Sequence, residues 1–123
     1  MHELSVCQAL LGQVAEIAER RGASAVERIT IEVGLLSGIE PGLLASAFAI
    51  LRAGGCASQA QLSIESKGVS ISCLDCGART PVEPNRLVCA ACGGFRTRII
   101  AGDELRLRSL ELRVRQSRSA LTV

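Results

Sequence analysis

Aromatic side chains are nearly absent from this chain, which has no tryptophan, no tyrosine and only Phe48 and Phe95. Its core must therefore be aliphatic, drawn from an apolar fraction of 48%. So few rings also argue against a single-strand nucleic-acid binder, which stacks successive bases on several aromatic platforms. Histidine is rarer still. His2 is the only one, which excludes a His-rich metal cluster within one chain and leaves a His-centred triad only a terminal residue as its base. Neither the G-x-x-x-x-G-K-S/T loop nor the G-x-G-x-x-G fingerprint occurs, so NTP and dinucleotide chemistry are not encoded. No apolar run has the length of a membrane span, and the start Met1-His2-Glu3 lacks the basic opening of a signal peptide. No membrane partner is expected. The acidic residues are scattered over exposed faces, the usual solvated arrangement, and no catalytic set emerges from them. The chain reads as a protein that is not an enzyme.

Against these absences stand six cysteines. Four of them form two C-x2-C pairs, Cys73-Leu-Asp-Cys76 and Cys89-Ala-Ala-Cys92, twelve residues apart and each followed at once by glycine. Two residues between cysteines allow a tight knuckle that turns both sulfurs inward, and glycine accepts the backbone angles such a turn requires. Two facing knuckles make a tetrahedral S4 cage suited to Zn(II), with iron as the rival for the same ligands. With four protein ligands and no place for water the cage is closed, so the zinc is structural. The intervening Pro81, Pro84 and Asn85 are turn formers, consistent with a short hairpin. Paired knuckles without an export signal point to a reducing, cytoplasmic setting. The formal net charge is +2. Four thiolates against one divalent cation leave two negative charges, which bring the balance to about zero and weaken the electrostatic case for nucleic acid. Cys7 falls on an apolar helix stripe and reads as a small buried hydrophobe. Cys56 follows Gly54-Gly55 in a turn and receives no role.

Periodicity divides the rest. Residues 4–21 show 3–4 spacing through Leu4, Cys7, Leu11, Val14, Ile17 and Ala18, and Gly22 ends the helix. Arg28 to Gly34 alternates, with Ile29, Ile31 and Val33 inward. The 35–39 loop is unusually apolar and either tucks under the fold or meets a partner. Pro41 opens a second helix with Glu40 at its cap, a buried stripe of Leu44, Ala47, Phe48 and Leu51, and a stop at Gly54-Gly55. A second strand begins near Leu62 and changes parity at Lys67-Gly68 before Val69 and Ile71. A third follows Gly102, and Ser109 offsets Leu105 and Leu107 from Leu110 and Leu112. The matching parity breaks suggest that these last two strands pair and diverge together. The expected fold is α+β: a small three-stranded sheet with two helices, plus an inserted four-cysteine zinc ribbon. Residues 1–71 and 101–115 are expected to form one body, 72–100 the zinc ribbon and 116–123 a flexible tail.

A second metal site, distinct from the cage, is expected in that body at the N-terminus. Taken alone, a histidine at position 2 is an ordinary surface residue. However, a free α-amino group titrates near about 7.7–8.0, so part of it is neutral in the cytosol. The Met1 amine, the His2 amide nitrogen and the His2 imidazole can close fused chelate rings around one ion. In-plane nitrogen donors suit Ni(II) or Cu(II), and Glu3 can add a further ligand.

The start Met1-His2-Glu3-Leu-Ser, the strand and loop from Ile29 to Gly38, the Glu40-Pro41 helix start, the two knuckles, Gly102-Asp-Glu-Leu and Ser109-Leu-Glu-Leu112 together resemble the hydrogenase nickel-incorporation proteins, the HypA/HybF family. The resemblance spans residues 1–114. It implies a nickel metallochaperone that supplies the large subunit of [NiFe]-hydrogenase, works with the GTPase HypB and in some members serves urease. It also implies Met1, His2 and Glu3 at the transferred Ni(II), Glu40 nearby, and Cys73, Cys76, Cys89 and Cys92 at the structural Zn(II). Monomer and homodimer both stay open. Two alternatives stand beside it. One is a zinc-ribbon nucleic-acid module using Arg79, Arg86, Arg96, Arg98 and Phe95, although those arginines also serve simply to offset the cage charge. The other is an adaptor that transfers no metal and docks through the 35–39 loop.

Overall fold

The computed structural model describes residues 2–114 and 120–122, with the side chains of His2 and of 120–122 outside that description. Along the chain run α1 (His2–Arg20), β1 (Ala23–Gly34), α2 (Pro41–Leu51), β2 (Gln61–Lys67), β3 (Val69–Cys73), β4 (Arg79–Val82), β5 (Thr97–Ala101), β6 (Leu105–Val114) and β7 (Ala120–Thr122). They divide into two compact units. The first is Met1–Ile31, Ile39–Ile64 and Leu107–Val123, and the second is Glu32–Gly38 and Glu65–Arg106.

In the first unit α1 buries Cys7, Leu10, Val14 and Ala18, a stripe slightly rotated from the expected one because Leu10 joins it while Leu4 stays exposed. Burial raises the Cys7 thiol pKa above its ordinary value, in keeping with its role as a small hydrophobe. The helix stops where Gly22 takes a φ of 66° and donates its N–H to the Glu19 carbonyl. At the start of α2 the Glu40 carboxylate accepts the Leu43 N–H at 2.8 Å, and Pro41 follows, whose missing N–H costs nothing in a first turn. Leu44, Ala47 and Phe48 face inward. Beyond α2, Arg52 donates to the carbonyls of Ser58 at 2.9 Å and Ala60 at 2.6 Å while lying 4.7 Å over the Phe48 ring. That one side chain fastens the turn leading into β2. Cys7, Leu10, Val14, Ile29, Ile31, Leu44, Phe48 and Leu62 surround a void of only about 10 Å³, so both helices and the sheet share one aliphatic core.

The body sheet has the strand order β2-β1-β6-β7. This corrects the expected pairing of the second and last long strands: β1 lies between β2 and β6. Alternation reports which face a residue occupies and says nothing of which strand lies beside it. β1 also begins at Ala23, five residues before the alternating stretch, because distant partners hold that segment. The Val26 N–H donates to the Cys56 carbonyl, the Ser24 hydroxyl donates to the Arg113 carbonyl, and Arg113 pairs with Glu27 at 2.6 Å. A short fourth strand, β7, sits in register with β6 through Leu121 opposite Leu112. The rest of the tail expected to be flexible, 116–119 and Val123, lies outside the described residues.

The second unit contains a three-stranded sheet ordered β4-β3-β5. The parity change at Gly68 marks where β2 ends and β3 begins in this other sheet. Ile71, Cys73 and Cys89 form its small core, with Ala78, Val82, Leu87 and Ile99 packed against them. The apolar loop after β1 splits its residues: Ile39 is buried and Leu35 is 53% exposed. Its backbone is pinned, since Gly34, Leu35 and Leu36 donate to the carbonyls of Glu104, Lys67 and Gly102. Glycine is required here by close approach. A Cβ on Gly34 would meet the Gly102 carbonyl, and one on Gly102, whose φ is +97°, would lie 2.6 Å from the Gly68 oxygen.

Candidate metal centre

The two knuckles share one local design. The Cys73 N–H donates to the Ala78 carbonyl at 2.9 Å, and the Gly77 N–H returns to the Cys73 carbonyl at 3.0 Å. Sixteen residues on, Cys89 donates to Gly94 at 2.8 Å and Gly93 returns to Cys89 at 2.9 Å. Each loop can close because Gly77 and Gly93 hold φ values of 77° and 76°, the left-handed region that other residues rarely enter. Gly94 is needed for a different reason, which the sequence reading missed. A Cβ there would sit 3.2 Å from the Cys92 sulfur and 3.1 Å from the Asp75 carboxylate. The glycine doublet was the available signal, one residue for the turn and one for the space. Between the knuckles, β4 leads into a turn closed by the Arg86 N–H on the Glu83 carbonyl at 3.0 Å, with Pro84 and Asn85 at its centre.

This scaffold brings Cys73, Cys76, Cys89 and Cys92 together so that one sulfur from each lies within 4.8 Å of all the others. Cys73 and Cys92 sulfurs are 3.7 Å apart, and those of Cys76 and Cys89 are 3.6 Å apart. A disulfide needs about 2.05 Å, and all four are free. Four sulfurs at about 2.3 Å from one tetrahedral ion would stand about 3.8 Å from one another, so the spacing fits a shared cation such as Zn(II). Cys73 and Cys89 are buried at the base, whereas Cys76 and Cys92 are exposed.

As bare thiols the four titrate unequally. The Cys92 N–H, donating to the sulfur, is the main cause that brings Cys89 down to about 7. At Cys92 the Gly94 N–H pulls the same way, but the neighbouring Cys76 and Cys73 sulfurs outweigh it and push that thiol up to about 12. Crowded sulfurs resist sharing negative charge, and a divalent cation removes that resistance. The Arg96 guanidinium, 3.2 Å from Asp75, adds an exposed ion pair beside the first knuckle.

At the other proposed site the residues fall differently. Met1 and the His2 side chain lie outside the described residues. Glu3 is described: its carboxylate accepts the Glu40 N–H at 3.1 Å, and the Glu40 carboxylate is occupied in turn as the α2 cap. The Glu3 carboxylate thus ties the first turn of α1 to the backbone at the start of α2.

A four-sulfur cage on a small α+β scaffold defines a metal-binding protein, and among the described residues this is the one grouping of His, Cys, Asp and Glu side chains able to hold an ion. Residues 1–112 match the family described as "Hydrogenase/urease nickel incorporation, metallochaperone, hypA", and the chain belongs to it. That makes it a metallochaperone and maturation factor, not an enzyme. It is 39% identical over 114 residues to the hydrogenase maturation factor HypA of Aquifex aeolicus, covering 93% of this chain and 99% of that protein. With the HypA of Nitrosospira multiformis the identity is 40% over 112 residues, covering 91% and 97%. The solution structure of the Ni metallochaperone HypA from Helicobacter pylori superposes with a TM-score of 0.72 at 31% identity, covering 91% of this chain and 97% of that one.

Proposed function

We propose that this chain carries Ni(II) on its N-terminus and delivers it to the large subunit of a [NiFe]-hydrogenase, with urease as a second recipient class. The nickel is cargo, bound by Met1, His2 and Glu3, while Cys73, Cys76, Cys89 and Cys92 hold a resident Zn(II). The observation that carries this is a family match that begins at residue 1 and runs through both knuckles, joined to sulfur spacing that fits a tetrahedral ion.

Local structure supports the N-terminal half. Helix α1 starts at His2, and the first N–H groups of a helix have no intrahelical acceptor. The His2 amide nitrogen is therefore free of the helix ladder and open to chelation. A helix N-terminus repels cations, so Glu3 and Glu40 offset that field where a divalent ion would sit. Bound at the cysteines, zinc supplies a fixed cross-link and takes no part in transfer. Zinc belongs to the 72–100 ribbon and nickel to the body formed by 1–71 and 101–115, so binding and exchange of the cargo need not disturb the cross-link. The working partners are the hydrogenase large subunit and the GTPase HypB, in the cytoplasm, with the chain acting as a monomer or a homodimer. No helix among the described residues is long and apolar enough to cross a membrane.

The test uses three proteins. Adding Gly-Ser before Met1 keeps every side chain but destroys the five-membered amine–amide chelate. His2→Ala keeps the amine and removes the imidazole. Both should abolish stoichiometric Ni(II) binding in calorimetry while zinc content and helical signal match the parent. Uptake of one nickel at unchanged affinity by the extended protein would exclude the N-terminal site and assign the nickel to side chains elsewhere, whereas no nickel uptake by the parent would favour an adaptor that transfers no metal.

A further inference from the structure

The sheet of the second unit has two unlike faces. On β3, Val69, Ile71 and Cys73 are buried while Ser70 and Ser72 between them are half-exposed. Cross-strand register sets what flanks them. Ser72 lies opposite Arg79 on β4 and opposite Arg98 on β5, and directly paired residues project from the same face. Strands stand about 4.8 Å apart, so the two arginine Cα atoms are roughly 10 Å from each other with a hydroxyl between them. Both guanidinium side chains are long enough to close over Ser72 onto one group. Arg79 and Arg98 are exposed, and among the described residues neither has an ion pair or a side-chain hydrogen bond. Nothing acidic sits in the row.

Offsetting the cage charge does not account for this pair. Cys73 points with Ile71 into the core, so Arg79 and Arg98 occupy the face of the sheet turned away from that sulfur. The arginine that does serve the knuckle is Arg96, which is already paired with Asp75. Along β5 the same face continues to Ile100, 42% exposed, and beyond β3 to Leu74, 57% exposed, whose N–H donates to the Arg96 carbonyl. The face is thus cationic at its centre and apolar at its ends.

From this juxtaposition we infer that the Arg79–Ser72–Arg98 row is a docking surface for an extended acidic segment of a partner protein, its carboxylates seated between the two guanidiniums and its aliphatic side chains on Leu74 and Ile100. Paired arginines take carboxylates in bidentate fashion, and a hydroxyl completes the set. Nucleic acid fits less well, because the exposed ring of Phe95 is one residue out of phase with Arg96 and Arg98 and the face itself has no aromatic. The inference is independent of where nickel binds.

The probe is a fluorescein-labelled decapeptide of alternating Glu and Val, titrated into the zinc-loaded full chain, with decathymidylate as competitor. Binding should weaken with rising salt and shift the amide resonances of Ser70, Ser72 and Arg98. The R79Q/R98Q protein should bind about tenfold more weakly or worse, whereas the charge-matched R20Q/R86Q protein should change less than about twofold. Ser72→Glu places a carboxylate in the row and should block the peptide without removing either arginine. Zinc content reports that the ribbon is intact in each. Equal weakening in both double variants, no binding by the parent, or displacement of the peptide by decathymidylate at lower concentration than by unlabelled peptide overturns the proposal.

Discussion

The first unit buries Val14, Val26, Ile29, Leu44, Leu110 and Leu112 almost completely, whereas the large side chains that the second buries as fully are Val69, Ile71 and Cys89, one of them a sulfur of the cage. One region has enough aliphatic surface to close a core. The other, about 50 residues in scale, lies in the range where a domain usually needs a metal or disulfides. What the difference teaches is where each region can be broken. Removing a methyl group matters most in the first, and removing a ligand matters most in the second.

The largest effect should follow from a lost ligand. Structural zinc contributes on the order of 10–16 kcal/mol to small sites, more than the whole stability of a typical domain. Cys76→Ala, or stripping the metal with a chelator, should therefore collapse amide dispersion across 72–93 while the helical signal of α1 and α2 persists. Elemental analysis should give one zinc per parent chain and none in the variant. A ribbon that stays ordered without metal would show that the Ile71–Ile99 cluster suffices, and the contrast between the units would fail.

Next in size is the mirror experiment. Leu44 has no exposed surface, so Leu44→Ala should cost about 2–5 kcal/mol from lost burial and a residual cavity. Urea unfolding followed by helical signal should shift to lower midpoint. Zinc stoichiometry and the 72–93 resonances should not change. Loss of zinc with the core substitution would mean that the ribbon depends on the body and is not held by its own ligands.

Much of this contrast was already visible in the residues. Both helices declared themselves through 3–4 spacing, and the four cysteines with their glycines specified a cage because ligand chemistry leaves few alternatives at that spacing. The shift at Gly68 correctly marked a break, yet its consequence, two separate sheets, was hidden. Strand neighbours are chosen by long-range pairing, and β1 could be placed between β2 and β6 only once the Gly34–Glu104 and Leu35–Lys67 hydrogen bonds were seen. β4 and β5 escaped notice for a related reason. They are four and five residues long, β4 contains Pro81 and β5 sets Ile99 beside Ile100, so their alternation is too brief to read. The Arg79–Ser72–Arg98 row was invisible for the same cause: its members are far apart in sequence and meet only through register.

The smallest expected effect sharpens the comparison from the charge side. Arg96 sits 3.2 Å from Asp75 beside the first knuckle, with the two side chains 68% and 42% exposed. If coordinate bonds hold the ribbon, neutralising this arginine removes only a screened surface interaction, worth about 0–1 kcal/mol. The zinc-loaded cage carries about two negative charges, so a lost cation nearby should still be felt at low salt. Arg96→Gln should accordingly weaken zinc retention against a competing chelator less than about tenfold at low ionic strength. At about 1 M salt, where the screening length falls to about 3 Å, the difference should vanish. The body gives the control. Arg113 holds Glu27 at 2.6 Å with its side chain 65% exposed, and Arg113→Gln should leave zinc retention unchanged at any salt. A loss at Arg96 as large as that at Cys76, or one that persists in high salt, would place the guanidinium among the elements that build the knuckle. The second unit would then depend on its surface as well as on its metal.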